Sequence, residues 1–110
     1  MKIVNCTPHD VVLRDAKTNE NIESFASVGI IPRVSQENNF DGIFGAVEYG
    51  ELENMPEPKA DTMYIVSTIA FDAAKASGRN DVCFPTGKMF RDKDGRIEAV
   101  EFLATSKKYK

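Results

Sequence analysis

The chain holds one histidine, His9, inside a short polar run, Asn5-Cys6-Thr7-Pro8-His9-Asp10. Any histidine-dependent general base must therefore be His9. The run leaves a β-prone segment. A turn there would present Asn5 and Thr7 to a ligand as hydrogen-bonding groups, with His9 beside them. The same residue types also close turns, because Asn and Thr side chains bond the nearby backbone and Pro8 fixes a bend. The sequence leaves both readings open. Cys6 and His9 suggest a nucleophile and its base. In an extended segment, however, positions 6 and 9 differ in parity and point to opposite faces.

Ser67 closes a strand-like run and opens a helix-like one. A helix N-terminus offers free amides to an anion. No GxxxxGK[ST] or GxGxxG pattern accompanies it, so an N-cap is the simpler reading. Arg79 follows the helix and either caps its last carbonyls or pairs with a phosphate. Arg33, Arg91 and Arg96 are further planar, bidentate groups, each with a plain surface alternative. A hydrolytic site would need His9 within hydrogen-bond reach of a carboxylate such as Asp10 or Asp81. Asp92-Lys93-Asp94-Gly95 begins like a calcium loop, but position 12 from Asp92 is Leu103, which leaves a plain turn. Cys6 and Cys83 share no CxxC spacing and have only His9 to join them. Buried free thiols are expected, and no metal, cofactor or catalytic set.

These residues need a scaffold. At 110 residues the chain is the size of one domain, 1–110, able to bury a core without staples. The pattern predicts an α+β fold of about seven mostly antiparallel strands with one short helix over about 68–77. Lys2–Asn5 and Asp10–Arg14 read as a hairpin, with Thr7-Pro8-His9 as a kink or bulge. Phe25–Gly29 and Ile30–Ser35 are short β-prone pieces, and Pro32 suggests an edge or bulge. Gln36–Gly42 reads as a surface loop, and Ile43–Leu52 as a strand. Pro56 and Pro58 make an extended loop. Thr62–Val66 is apolar without alternation, which predicts burial on both faces. Gly78 sits where a C′ glycine ends the helix. Asp81–Phe84 reads as a strand ended by Pro85 and Gly87. Lys88–Arg91 and Arg96–Thr105 read as a hairpin about Asp92–Gly95.

The net charge of −3 argues against non-specific nucleic-acid binding, which needs a basic surface. Lys107, Lys108 and Lys110 form a small basic tail, read as a solubilising terminus. No apolar run reaches the length of a membrane span or a signal peptide, so a cytoplasmic protein is expected, with no membrane partner.

Several motifs occur in a fixed order: Asn5-Cys6-Thr7-Pro8-His9, Arg33-Val34-Ser35, Tyr49-Gly50, Met55-Pro56-Glu57-Pro58, Tyr64-Ile65-Val66-Ser67, Arg79-Asn80-Asp81 with Pro85, and Arg91-Asp92 with Gly95. Together they resemble a family of short, uncharacterised phage and prophage proteins, over nearly the whole chain. Cys6 and Met55 stand where that family usually has Leu, and the tail from Ser106 onward has no counterpart. The resemblance implies the cytoplasm of a bacterial host and a role against host defence. The leading expectation is sequestration of a nucleotide immune signal, a cyclic oligonucleotide or an ADP-ribose derivative, by a homo-oligomer with pockets between subunits. Its expected ligand set is Asn5, Thr7, His9, Arg33, Ser67, Arg79, Asp81 and Arg91, with the arginines and the Thr-Pro-His turn converging on one concave site. One alternative is a protein that binds and inhibits a host defence enzyme such as a CRISPR nuclease. Another is a small hydrolase of the same signals. These functions rest on analogy of genomic setting.

Overall fold

The computed structural model describes residues 1–105; the basic tail named above lies outside the described residues. The strands are β1 (Lys2–Asn5), β2 (Val11–Arg14), β3 (Asn21–Phe25), β4 (Arg33–Asp41), β5 (Phe44–Glu53), β6 (Thr62–Ile65), β7 (Val82–Arg91) and β8 (Ile97–Thr105). Among the described residues one helix, α1 (Thr68–Ala76), joins β6 to β7. Six strands form one sheet in the order β1-β6-β7-β8-β2-β3, while β4 and β5 form a separate hairpin. The β1–β6, β6–β7 and β2–β8 ladders are parallel and short. Most paired residues lie in the antiparallel β2–β3, β4–β5 and β7–β8 hairpins. The fold is α+β and mostly β. Among the described residues, no helix is long and apolar enough to cross a membrane.

The core follows from β6. Successive strand residues face opposite sides of a sheet. Tyr64 and Val66 pack with Cys6, Val82 and the helix residues Ala70, Phe71 and Ala74. Met63 and Ile65 pack on the other face with Val11, Cys83 and Val100. The unalternating run is therefore buried on both sides, as its composition predicts. Phe71 meets Phe84 edge-on at 4.7 Å between ring centroids. The helix begins where Ser67 Oγ accepts from the Ala70 amide at 3.3 Å. It stops before Gly78, whose φ of 87° suits glycine. Both cysteines are free and buried; burial pushes the Cys83 thiol up to about 12 and raises that of Cys6.

Four expectations are corrected. β1 and β2 form no hairpin. β1 pairs in parallel with β6, and β2 pairs with β3 and β8. Against β6, β1 places Val4 on the helix-covered core and Ile3 on the opposite one. Phe25–Gly29 is not a strand. β3 ends at Phe25, and only an isolated bridge joins Ser27 to Asn5. Gln36–Asp41 is strand, not loop, because main-chain pairing with β5 defines it. Pro85 and Gly87 do not end β7. The Cys83 carbonyl accepts from Val66 on the β6 side, and Pro85 has the same parity beyond the end of β6. Its missing N–H thus faces an unpaired edge, where proline is tolerated. Gly87, at φ 85°, lies in the register shift between Thr86 and Met89, the geometry of a bulge.

Candidate functional site

The turn after β1 is built around Asn5, which is buried. Its Nδ2 donates to the carbonyls of His9 and Phe25, both at 2.8 Å. Its Oδ1 accepts from the Thr7 amide at 3.0 Å and lies 2.6 Å from Thr7 Oγ1. All the bonding capacity of the amide is thereby used. The Thr7 hydroxyl is also 2.8 Å from the His9 carbonyl, and its one proton serves a single acceptor at a time. The Ser27 hydroxyl donates to the Thr7 carbonyl, and the Ser27 amide donates to Asp10 Oδ1 at 3.1 Å. These bonds tie the turn to the chain leaving β3. Asn5 holds the backbone and offers no free atom to a ligand. The His9 ring projects from this frame and is exposed.

The turn borders a cleft of about 350 Å³. It opens where β1 and β6 end and α1 begins, at the carboxyl ends of parallel strands, where α/β sheets commonly place ligands. Thr7, His9 and Asp10 line it from the turn, Ser67 and Thr68 from the helix start, and Glu98 from β8. Val11, Val66, Pro85, Met89 and Val100 supply apolar walls. The first-turn amides of Thr68 and Ile69 have no intrahelical acceptor, so an acceptor group entering there meets free donors.

Three of the eight expected ligand residues, Thr7, His9 and Ser67, thus meet in one cleft, with Asn5 bracing it from below. The expected convergence of arginines on it does not occur. Among the described residues, no Arg or Lys lines the cleft. Arg79 and Asp81 lie at the other end of the sheet, before β7, where the Asp81 carbonyl accepts from the Tyr64 amide. Their side chains form a two-pronged pair, Nε–Oδ1 and Nη2–Oδ2 both at 2.8 Å, and Nη2 also donates to the Pro56 carbonyl at 3.0 Å. Tyr64 Oη donates to the Glu57 carbonyl at 2.9 Å, so both side chains pin the proline loop. The Arg79 hydrogen bond holds the Asp81 carboxyl below its ordinary range, and Asp81 raises Arg79 in turn. Arg33 is exposed at the start of β4 opposite Glu53. Arg91 donates to the Gly95 carbonyl at 2.8 Å, closing the turn of its own hairpin. Neither arginine reaches the cleft.

The expected ligand set omits Asp10, Thr68 and Glu98. Asp10 and Thr68 each adjoin an expected residue, so proximity alone was a usable signal. Glu98 comes from a distant strand and carries no local signature. Among the described residues, no hydrogen bond joins the His9 ring to Asp10 or Asp81, so the pairing a hydrolase would require is not formed. Asp81 is out of reach in any case. The cleft can hold a flat, partly polar group by its apolar walls and anchor its edges through Thr7, Asp10, Ser67, Glu98 and the helix amides. No family model, curated protein or solved structure matches the chain.

Proposed function

We propose that the chain is a phage anti-defence protein of the bacterial host cytoplasm that binds and holds a nucleotide immune signal in the His9–Ser67 cleft. The signal is a cyclic oligonucleotide or an ADP-ribose derivative. The supporting observation is the meeting of Thr7, His9 and Ser67 over apolar walls at the carboxyl ends of β1 and β6. A base fits against Pro85, Met89 and Ile97. The helix amides donate to a phosphate oxygen, and Asp10 and Glu98 accept from ribose hydroxyls, a common carboxylate role. A cleft of about 350 Å³ is at the small end of ligand pockets, enough for one nucleotide unit. Phage context enters through the sequence resemblance alone.

Isothermal titration against a panel of cyclic dinucleotides and ADP-ribose derivatives tests the reading. Binding is expected, and His9→Ala should weaken it by about tenfold, the loss of one hydrogen bond. Intact ligand recovered after denaturing the complex marks a sponge, whereas altered ligand marks a hydrolase. No heat with any member of the panel sinks sequestration and moves the reading to a protein-binding inhibitor.

A further inference from the structure

The β4–β5 hairpin is an arm with an exposed apolar apex. Gly42, at φ 69°, and Ile43 form a two-residue turn with positive φ at the first position only, which is a type II′ hairpin turn. This turn thrusts Ile43 and Phe44 outward, 91% and 78% exposed. The arm's base rests near α1, where Val34 and Tyr49 border Ile69 and Ala73. Its charge is one-sided. Residues 33–53 carry five carboxylates and one arginine, or −4, while the whole chain carries −3. The other residues, basic tail included, sum to +1. Glu37 and Glu48 stand directly opposite each other across the hairpin, an arrangement that destabilises an isolated pair of strands. An apolar apex flanked by acids calls for an apolar pocket flanked by bases.

The same chain carries such a pocket. β1 is an edge strand, and beside its outer edge lies a depression of about 440 Å³ lined by Ile3, Phe25, Val28 and Ile30. Val28 and Ile30 are about half exposed, at 51% and 49%. Lys2 and Lys59 also line it, and among the described residues neither belongs to an ion pair. We propose that the Ile43–Phe44 apex of one copy seats in the Lys2–Lys59 pocket of a second copy, which returns the contact with its own apex. Reciprocal exchange satisfies two-fold symmetry, the commonest arrangement of identical subunits. It sets Asp41 and Glu48 toward lysines, whereas stacking arm on arm sets −4 against −4. The proposal does not depend on the ligand reading.

Sedimentation equilibrium of the full chain decides it, at loadings from about 1 to about 200 µM, where interfaces of modest size associate. The expected species is a dimer of the 12.2 kDa chain. Ile43→Ser with Phe44→Ser should give monomers with an unchanged melting curve, because these side chains are exposed. Asp41→Lys and Lys59→Glu should each weaken the dimer by about tenfold. The two together should recover most of that loss, a rescue that misfolding cannot mimic. Monomeric wild type at every loading overturns the proposal. So does a dimer indifferent to the apex changes, or a monomer whose apex instead captures a foreign basic protein.

Discussion

Asn5 is the residue on which the turn depends most. Its amide spans the His9 and Phe25 carbonyls and the Thr7 amide from a buried position. Removing it strands the Phe25 carbonyl and the Thr7 amide, and each unsatisfied group away from water costs about 1–3 kcal/mol. Asn5→Ala should therefore lose about 3 kcal/mol in urea unfolding, while Thr7→Ser, which keeps the hydroxyl, should lose under about 1 kcal/mol. Equal losses would mean that the turn does not hang on the amide. The Arg79–Asp81 pair gives stability a pH dependence of known sign. Arg79 lowers the folded-state pKa of Asp81. Its contribution is complete above the unfolded carboxylate range near about 4 and fades as pH falls through the lower folded value. Asp81→Asn should cost about 1.5 kcal/mol at neutral pH, the worth of a hydrogen bond to a charged group. It should also flatten the decline below about pH 4. Identical acid limbs in denaturant titrations would remove Asp81 from that role.

At the scale of elements, β7 shows how a strand survives two supposed breakers. Pro85 is tolerated because β7 outruns β6, and Gly87 is needed where the strand bulges against β8. A Cβ at Gly87 would lie 2.7 Å from the Phe102 ring and 2.8 Å from Glu101 Cβ, in backbone at φ 85°. Gly95, at φ 81°, has nothing within 4 Å of its would-be Cβ. Gly95→Ala should thus cost about 1 kcal/mol of backbone strain alone, and Gly87→Ala about 2–3 kcal/mol of strain plus overlap. Chemical denaturation of the two variants separates these terms, and equal costs would show that the overlap relaxes away. The helix was legible because its signals are local: a serine cap, an alanine-rich body and a terminal glycine. β4 was not, since Gln36–Asn39 is polar on both faces and becomes strand only by pairing with β5.

For the whole molecule, the arm accounts for an elongated form. The radius of gyration is 15.8 Å, against about 13 Å for a compact chain of this size. The apex packs on neither core cluster. Replacing residues 39–46 by an Asn-Gly turn should leave the melting temperature within about 4 °C, the shift that roughly 1 kcal/mol produces. A large drop would show that the apex supports the fold of the single chain. The cleft belongs to this scale too, since Glu98 joins Thr7, His9 and Ser67 only through the order of strands in the sheet.

The sequence by itself determined what depends on neighbours along the chain. These are the helix and its caps, the buried β6, the Asp92–Gly95 hairpin, the proline loop and the polar turn that carries His9. The tertiary structure alone decided which strands pair, and hence which polar residues meet. β1 chose β6 over β2 because that pairing packs Val4 and Ile3 against two cores at once. It put His9 beside Ser67 and left Arg79 and Asp81 at the far end of the sheet. Periodicity reports which face of a segment seeks burial, but not which distant segment will cover it.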